Sequence, residues 1–341
     1  MNDLSQKTSM QDIATALGIS KNAVSLALNN KPGISESLRQ KVIDCAISMN
    51  YGSYGKLESS RNKRVVAICV PSAISGFSQF YSSIYWTVER ELASRGYRSL
   101  LTSVSSEMEE SLQLPPVLTE GDVLGVIVVG TFAESYIAKI SSVFKNLVLV
   151  DSHFVNLQIN SVTTANLEGG YKATKFLIEK GFKRIGFLGK IDVFRAYKER
   201  FLGYQMALEE SGFEVNPNFI LTEENLFIPE LNLERIANKI EANKLSSVFC
   251  ANDRLAIRLM GKLQSMGYNI PKDISIVGFD DIENADIVSP PLTTVRVSRT
   301  ELGKKATHIL IDLIKGKNSN TSNIAIYPKL IIRNSVFDIS D

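Results

Sequence analysis

Residues 9–30 read SMQDIATALGISKNAVSLALNN, two short helical patterns joined by one tight turn. Ser9 suits the N-cap of the first helix, and Asp12 lies where a carboxylate complements a helix N-terminus. Gly18 follows the last apolar residue of this pattern, where a left-handed residue without a Cβ atom commonly ends a helix. Ser20 then caps the second helix. The stretch therefore predicts a helix-turn-helix.

The second helix has two chemically different sides, because residues three and four apart are neighbours on a helix. Val24, Ala27 and Leu28 lie on one side and predict its buried face. The other side suits a DNA major groove, since Asn can bond adenine at two points and an exposed Leu can contact a thymine methyl. The outward candidates are Lys21, Asn22, Ser25, Leu26 and Asn29. A solvated helix face with one stray leucine is the alternative interpretation.

The first 64 residues continue with a third helix and a linker. Lys31-Pro32-Gly33 breaks the chain, and a helical stripe of apolar residues runs from Ser35 to about Asn50. Three helices within residues 1–50 predict a small head domain. Residues 51–64 carry Gly, Ser and charge without an apolar period, which predicts a linker. Residues 1–64 hold nine Lys or Arg against five Asp or Glu, an excess that favours contact with phosphates.

Composition places the chain among globular proteins. Its 341 residues are 44% hydrophobic and 22% charged, enough for about two to three domains. No apolar run approaches the length of a membrane span, and the N-terminus has no secretory signal pattern. We therefore expect a cytoplasmic protein that does not contact a membrane.

From residue 65 onward, short apolar segments alternate with amphipathic helical patterns. The predicted strands are residues 65–70, 99–102, 123–129, 147–150, 184–188, 247–251 and 274–278. Such alternation predicts parallel sheets covered on both faces, and the number of strands favours two doubly wound subdomains. Ligands bind outside the carboxyl ends of such strands. The polar residues at these ends are Ser72, Asp151, Asn252, Asp253, Asp280 and Asp281.

The sequence argues against an enzyme. Cys45, Cys69 and Cys250 lie far apart in apolar surroundings, which predicts buried thiols rather than a metal site. His153 and His308 lack a nucleophile or metal-ligand partner at a characteristic spacing. Phosphate-loop, nucleophile-elbow and zinc-protease motifs are absent from the sequence. We expect no catalytic residue, no metal and no cofactor.

The pattern D-I-A-x-x-L-G-I-S-x-x-x-V-S-x-x-L-N, residues 12–29, resembles the N-terminus of LacI/GalR-type repressors. The stretches DSHF, NLEGGYKAT, RIGFLG, RFLGY, ANDRLA, PKDISIVGFDD and PPLTTVR resemble the effector core of the same family. The resemblance implies an α/β fold with a three-helix helix-turn-helix head and a periplasmic-binding-protein-like core of two doubly wound parallel-sheet subdomains. We expect the head at 1–50, the hinge or linker at 51–64 and the core at 65–341. Its N-subdomain would comprise about 65–161 and 293–323, and its C-subdomain about 162–292 and 324–341.

The resemblance also assigns DNA-binding roles. Lys21, Asn22 and Leu26 match the three recognition-helix positions that read bases, although Leu26 stands where several members have Arg. A hinge helix that inserts a leucine into the minor groove is implied for residues 51–64. The usual Ala-Arg-x-Leu pattern is missing there, and Leu57 is the only candidate wedge. The complete expected set is Ser9, Ser20, Lys21, Asn22, Ser25, Leu26, Asn29 and Leu57.

In the core, Arg200, Asn252 and Asp280 match effector-contacting positions of the family, and Asp151 matches a further cleft position. A carboxylate accepts hydrogen bonds from two adjacent hydroxyls, Arg donates a planar fork, and Asn both donates and accepts. A vicinal diol would therefore satisfy this set. Phe80 and Tyr81 correspond to an aromatic pair that packs on a sugar ring, with a place in the core as the alternative. Asp151 has the alternative role of a cap. Asp253 directly precedes a helical pattern and is most simply its cap, and Asp281 could face solvent or bridge.

The expected protein is a sequence-specific transcriptional regulator, a repressor, that binds double-stranded operator DNA as a homodimer. Its small-molecule effector is expected to be a carbohydrate bound by Ser72, Phe80, Tyr81, Asp151, Arg200, Asn252 and Asp280. A purine or sugar phosphate is an alternative effector. A cytosolic sugar-binding protein with a vestigial head is the alternative function.

Overall fold

A computed structural model describes residues 8–29, 31–49, 51, 64–72, 79–192, 194–222, 233–317 and 320–339. Of the predicted linker, only Tyr51 and Arg64 are among them. The hinge helix and the minor-groove role of Leu57 therefore lie outside the described residues.

The head consists of three helices, α1 (Met10–Leu17), α2 (Lys21–Leu28) and α3 (Glu36–Ser48). Ser9 and Asp12 form a capping box, and the Ser20 hydroxyl accepts a hydrogen bond from Ala23 N at 3.1 Å. Gly18 has φ of +65°, so α1 ends in the left-handed conformation predicted. The three helices share a small apolar core, whose fully buried members are Ile13, Ala14, Val24, Ala27, Val42 and Ala46.

Twelve strands lie in the described part of the core. In chain order they are β1 (Val65–Pro71), β2 (Arg98–Val104), β3 (Val123–Val129), β4 (Leu147–Val150), β5 (Asn160–Thr164), β6 (Ile185–Leu188), β7 (Ile220–Leu221), β8 (Ser247–Cys250), β9 (Ser275–Asp280), β10 (Thr293–Arg296), β11 (Asn323–Ile326) and β12 (Lys329–Ile331).

Nine α-helices connect these strands within the same described residues. They are α4 (Gln79–Ala93), α5 (Ser106–Glu110), α6 (Pro116–Thr119), α7 (Glu134–Val143), α8 (Asn166–Glu179), α9 (Arg195–Glu210), α10 (Leu233–Ala242), α11 (Asp253–Ser265) and α12 (Arg299–Ile314).

The strands form two six-stranded sheets. The first has the order β11-β5-β4-β3-β1-β2 and is parallel throughout. The second has the order β12-β10-β9-β8-β6-β7 and is parallel except for β12, which pairs with β10 antiparallel. The predicted pair of doubly wound sheets is confirmed. Helices cover the central strands, so β4 (LVLV) and β8 (SVFC) are buried along their whole length.

The chain crosses between the sheets three times: after Thr164, after Arg296 and after Ile326. Each crossing lies three or four residues beyond the expected subdomain limits at 161, 292 and 323. The reason is strand pairing. Asn323–Ile326 pairs with β5 and belongs entirely to the first sheet, whereas Thr293–Arg296 pairs with β9 and belongs to the second.

Candidate functional site

The exposed side of α2 carries the predicted base-reading residues. Lys21, Asn22 and Asn29 are exposed, whereas Ser25 and Leu26 are half-buried. Asn29 Nδ2 donates to the Ser25 carbonyl at 2.9 Å, which ties the last turn together. The opposite side, led by Val24 and Ala27, packs into the head core. Helix α2 therefore exposes a mostly polar side, while its apolar side packs into the core of the head.

Two further predicted DNA contacts serve as helix caps. The Ser9 hydroxyl accepts from Asp12 N at 3.4 Å and donates to Asp12 Oδ2 at 2.7 Å. Ser20 Oγ occupies the same position at the start of α2. These caps fix the N-termini of α1 and α2. Backbone N–H groups and the Ser9 and Ser20 hydroxyls therefore lie together at helix ends, which favour the binding of anions.

In the core, Asp151 follows β4 at the carboxyl edge of the first sheet. Its backbone has φ of +64°, and its Oδ2 accepts a hydrogen bond from the Tyr81 hydroxyl at 2.9 Å. Among the described residues, Asp151 Oδ1 is buried without a hydrogen-bond partner. Burial raises the pKa of Asp151, while Arg200 and the Tyr81 hydrogen bond oppose the shift. An acceptor in this position is open to a donor from a ligand.

Tyr81 begins α4 beside Phe80. The two rings meet edge to face with centroids 5.0 Å apart, and Phe80 packs into the hydrophobic core at 8% exposure. Ser72, which directly follows β1 at the same edge of the sheet, is exposed. Tyr81 is thus the member of the predicted aromatic pair that hydrogen-bonds to Asp151.

Arg200 is the central residue on the second sheet's side. It extends from α9, is 3% exposed and donates from Nε to Asn166 Oδ1 at 2.9 Å and from Nη1 to the Ala251 carbonyl. Its Nη2 lies 3.3 Å from Asp280 Oδ1. The guanidinium carbon stacks 3.7 Å from the Phe279 ring centroid. Each nitrogen of the Arg200 guanidinium therefore has a partner in the protein, and the group also stacks on Phe279.

Asp280 ends β9 with φ of +110°. Burial raises the pKa of Asp280 to about 7; Asp151 adds to the shift, and Arg200 and Arg299 oppose it. Asp151 also interacts electrostatically with Arg200, across from the other sheet. The carboxyl edges of the two sheets thus meet around one space, which we call the cleft and define by Tyr81, Asp151, Arg200, Asn252 and Asp280.

Asn252 corrects one prediction for α11. Its Oδ1 accepts from Leu255 N at 2.9 Å, so Asn252, not Asp253, is the N-cap. Its Nδ2 donates to the Tyr197 hydroxyl. Asp253 is instead fully buried, accepts from Ile282 N at 2.9 Å and from the Thr294 hydroxyl, and burial raises its pKa to about 8.

Asp281 bridges rather than facing solvent. It is 7% exposed, and its two carboxylate oxygens accept from Arg296 Nε and, at 2.7 Å, from Arg333 Nη2. These ion pairs hold the backbone next to Asp280.

Three residues of the cleft wall were missed by the sequence reasoning. Tyr197 lies one turn before Arg200 on α9, Phe279 directly precedes Asp280, and Asn166 begins α8. A search at helical spacing from Arg200 would have found Tyr197. Asn166 gave no such signal, because its contact with Arg200 joins residues 34 apart.

Among the residues that the structure describes, no helix is long and apolar enough to cross a bilayer.

Comparisons with known proteins agree with this architecture. A model of the lacI family of bacterial regulatory proteins matches residues 9–53, and a periplasmic binding protein-like domain matches residues 174–336. The HTH-type transcriptional repressor PurR of Vibrio atlanticus (strain LGP32) is 30% identical over 339 residues, covering 96% of this chain and 98% of the relative. PurR of Vibrio vulnificus (strain CMCP6) is 29% identical, covering 97% and 99%.

Solved structures support the fold. The transcriptional regulator CelR in complex with cellobiose has a TM-score of 0.71 at 23% identity, covering 96% of this chain and 100% of CelR. A lac repressor dimer bound to operator and the anti-inducer ONPF has a TM-score of 0.71 at 18% identity, covering 97% and 100%. These likenesses show the fold. The PurR relatives, which match this chain over nearly its whole length, and the match of the head to the family model identify the protein: it belongs to the lacI family of bacterial regulatory proteins and is a DNA-binding transcriptional repressor controlled by a small-molecule effector.

Proposed function

We propose that the effector is a neutral sugar or sugar derivative bound in the cleft. The observation that carries the proposal is the buried Asp151 Oδ1, which has no donor among the described residues although Oδ2 accepts from Tyr81. A ligand hydroxyl would supply that donor. Asp280 offers a second acceptor on the opposite wall, so adjacent hydroxyls could bridge the two sheets.

The charges of the cleft favour a neutral ligand over a phosphate. Two carboxyl groups, Asp151 and Asp280, lie beside Arg200, and Arg200 already binds Asn166, Ala251 and Asp280. A phosphate would have to approach both acids, and the Arg200 guanidinium beside them is already engaged by the protein. The complex of the structural relative CelR with cellobiose is further support. A purine, whose ring could stack on an aromatic residue such as Tyr197, is the alternative effector.

On the DNA side, we propose that Lys21, Asn22, Ser25, Leu26 and Asn29 meet base edges and nearby phosphates, with Ser9 and Ser20 at the phosphate backbone. Exposure of the polar side of α2 and burial of its apolar side support this. We further propose the division into a head at 1–50, a linker at 51–64 and a core at 65–341.

A homodimer would carry two heads to two half-sites of an operator. Its support is a set of exposed apolar side chains on elements of the first sheet's side of the core: Trp86 (58% exposed) on α4, and Leu100 (39%) and Leu101 (48%) on β2. Leu100 and Leu101 lie on β2, the edge strand of that sheet. Monomeric proteins seldom leave such an edge uncovered.

A thermal-shift screen of neutral sugars, sugar phosphates and purines tests the effector class. The parent protein, Asp280→Asn and Asp286→Asn should be compared, because Asp286 is an exposed acid in the same loop. We expect a neutral sugar to raise the Tm of the parent and of Asp286→Asn, with the shift largely lost in Asp280→Asn. Equal shifts in all three proteins would reject the cleft assignment, and a response to purines or phosphates alone would favour that alternative.

Selection of duplexes from a random-sequence pool tests the head. A functional head should select a sequence that it binds at least about a thousandfold more tightly than a scrambled duplex at physiological salt. A sugar-binding protein with a vestigial head would select nothing.

A further inference from the structure

One buried arginine in the head, Arg39, donates hydrogen bonds to the C-terminal end of α2, the helix that carries the predicted base-reading residues. Arg39 lies on α3 and is 8% exposed, and within the described head it is the only buried charged side chain. Its guanidinium is directed at α2. Nη1 lies 3.2 Å from the Leu26 carbonyl oxygen and 3.3 Å from that of Ala27, and Nη2 lies 2.8 Å from that of Lys31.

The Leu26 and Ala27 carbonyls are among those that helix geometry leaves without an intrahelical partner, and Lys31 lies in the chain just after α2. The last four C=O groups of a helix have no intrahelical donor, and a cation near that end is favoured by the helix dipole. Helix α2 has no basic residue in its last turn. Arg39 supplies the missing positive charge from a different helix, and its planar fork reaches both α2 and the chain that follows it.

The held residues include a predicted base reader. Leu26 accepts from Arg39 and also from Lys31 N at 2.9 Å through the same carbonyl. The Leu26 side chain lies against the turn at Gly33, where an added Cβ would be 3.5 Å from Leu26 Cδ1. Rotation of α2 about its axis would therefore break contacts with Arg39 and with the turn together.

We propose that Arg39 is a positioning residue for sequence discrimination: it fixes the rotation and depth of α2 through the carbonyls of Leu26, Ala27 and Lys31 without contacting DNA. The proposal rests on α2 being the helix that reads bases. Base-edge hydrogen bonds depend strongly on distance and angle, whereas attraction to phosphates tolerates small displacements. Loss of Arg39 should therefore reduce sequence discrimination more than general affinity for DNA.

The test uses the full chain and the duplex that the parent selects from a random pool, with a scrambled duplex of the same composition. Arg39→Met keeps most of the side-chain volume and removes all donors. Lys41→Met is the matched control, because it removes one positive charge from an exposed position of the same helix. Circular dichroism and thermal unfolding report whether each head is folded.

For Arg39→Met we expect the ratio of selected to scrambled affinity to fall at least about tenfold, with scrambled binding within about threefold of the parent. Lys41→Met should leave the ratio unchanged. An unchanged ratio in a folded Arg39→Met would reject the proposal. Equal losses on both duplexes, with a salt dependence shallower by about one counterion, would show instead that Arg39 contacts a phosphate.

Arg39→Lys keeps the test decisive if Arg39→Met does not fold. An ammonium is a point charge that cannot span three carbonyls as a guanidinium does. We expect this variant to fold and to lose discrimination by at least about threefold, and an unchanged ratio would contradict the proposal. Failure of the parent to select any duplex would refute the role of α2 and, with it, the proposal for Arg39. A parent that selects a duplex, with an unchanged ratio in the folded variants, would refute the Arg39 proposal alone.

Discussion

At the scale of single residues, the cleft places acids where burial opposes their charge. Asp280 has a pKa of about 7 although Arg200 Nη2 lies 3.3 Å from its Oδ1, because burial and the nearby Asp151 outweigh the favourable ion pair. The backbone of Asp280 also has φ of +110°, and the next residue, Asp281, forms ion pairs with Arg296 and Arg333. Such strain and burial are typical of binding sites, where stability is given up for a prearranged ligand contact.

The raised pKa of Asp280 predicts a pH-dependent difference in stability. An acid whose pKa is higher in the folded chain keeps its proton when folded but loses it when unfolded between about pH 4 and pH 7. The parent's free energy of unfolding should therefore fall relative to that of Asp280→Asn as pH rises through this window, by up to about 1.4 kcal/mol per pH unit. Urea unfolding of the core measures this. Parallel profiles for the two proteins would contradict it, and Asp286→Asn should follow the parent.

At the scale of elements, close packing of α8 against α9 holds Arg200 in place. A Cβ added at Gly203 would overlap the Leu167 carbonyl oxygen, and one added at Gly170 would overlap the Arg200 carbonyl oxygen. The two backbones therefore touch without intervening side chains. Asn166 at the start of α8 can then reach the guanidinium on α9.

Gly203→Ala is expected to separate these helices. Overpacking of this kind costs about 1 to 3 kcal/mol, and the shift of α9 should also weaken effector binding. Gly261→Ala is the control, because Gly261 lies within α11 with no atom near its added Cβ, and alanine there should stabilise the core by about 0.5 to 1 kcal/mol. Thermal unfolding of both variants measures the contrast. If both variants were stabilised equally, the prediction would be wrong, because α8 and α9 would then move apart without loss of stability.

Gly18→Ala makes a separate prediction for the head. Nothing lies within 4 Å of the added Cβ, but φ of +65° strains any residue other than glycine. We expect the head to lose about 1 kcal/mol of stability and operator affinity to fall, while the core's unfolding transition stays unchanged. Calorimetry of the full chain separates the unfolding transitions of the head and the core. If the core transition shifted as much as that of the head, the effect of Gly18→Ala would not be confined to the head.

The head was more predictable from sequence than the core because its signals are local. Ser9, Gly18, Ser20 and Ser35 each act within about one helical turn, and every one of them lies at a helix end as predicted. Strands β5 and β11 were not predicted, since β5 reads NSVTT and is polar. Its Ser161 and Thr163 hydroxyls donate to Asn323 Oδ1, about 160 residues away, at 3.0 and 3.3 Å.

The cleft was partly predictable for a related reason. Asp151 and Asp280 lie at the ends of strands, Arg200 lies in the helical pattern that follows β6, and the structure brings the three together. Their supporting partners were not visible in the sequence, because Tyr197 and Asn166 act through tertiary contacts. The exchange of roles between Asn252 and Asp253 has a similar origin: only the buried partners Thr294 and Ile282 distinguish a cap from a core acid.

At the scale of the whole molecule, the two sheets of the core are joined by three crossings of the chain. If the proposed effector bound in the cleft and drew the two sheets together, these crossings would be the hinge. In a dimer, such closure would alter the distance between the heads. A coupling of about 1 to 3 kcal/mol would suffice for a useful switch.

Leu101→Asp tests the proposed dimer surface. A charge placed in an apolar interface without a partner should dissociate the dimer and weaken operator binding at least about tenfold, because a single head contacts only one half-site. Val143→Asp is the control, since Val143 is similarly exposed (53%) at the end of α7. Analytical ultracentrifugation measures the dimer dissociation constant. If Leu101→Asp dimerised as tightly as the control, this surface would be excluded as the dimer interface.

The strands β11 and β12 come last along the chain, and each completes a different sheet. During translation, the first sheet must wait for Ile326 to leave the ribosome and the second for Ile331. The described apolar core of the head contains no residue after Tyr51. Each nascent molecule can therefore assemble its operator-reading part well before either half of its sensor is complete.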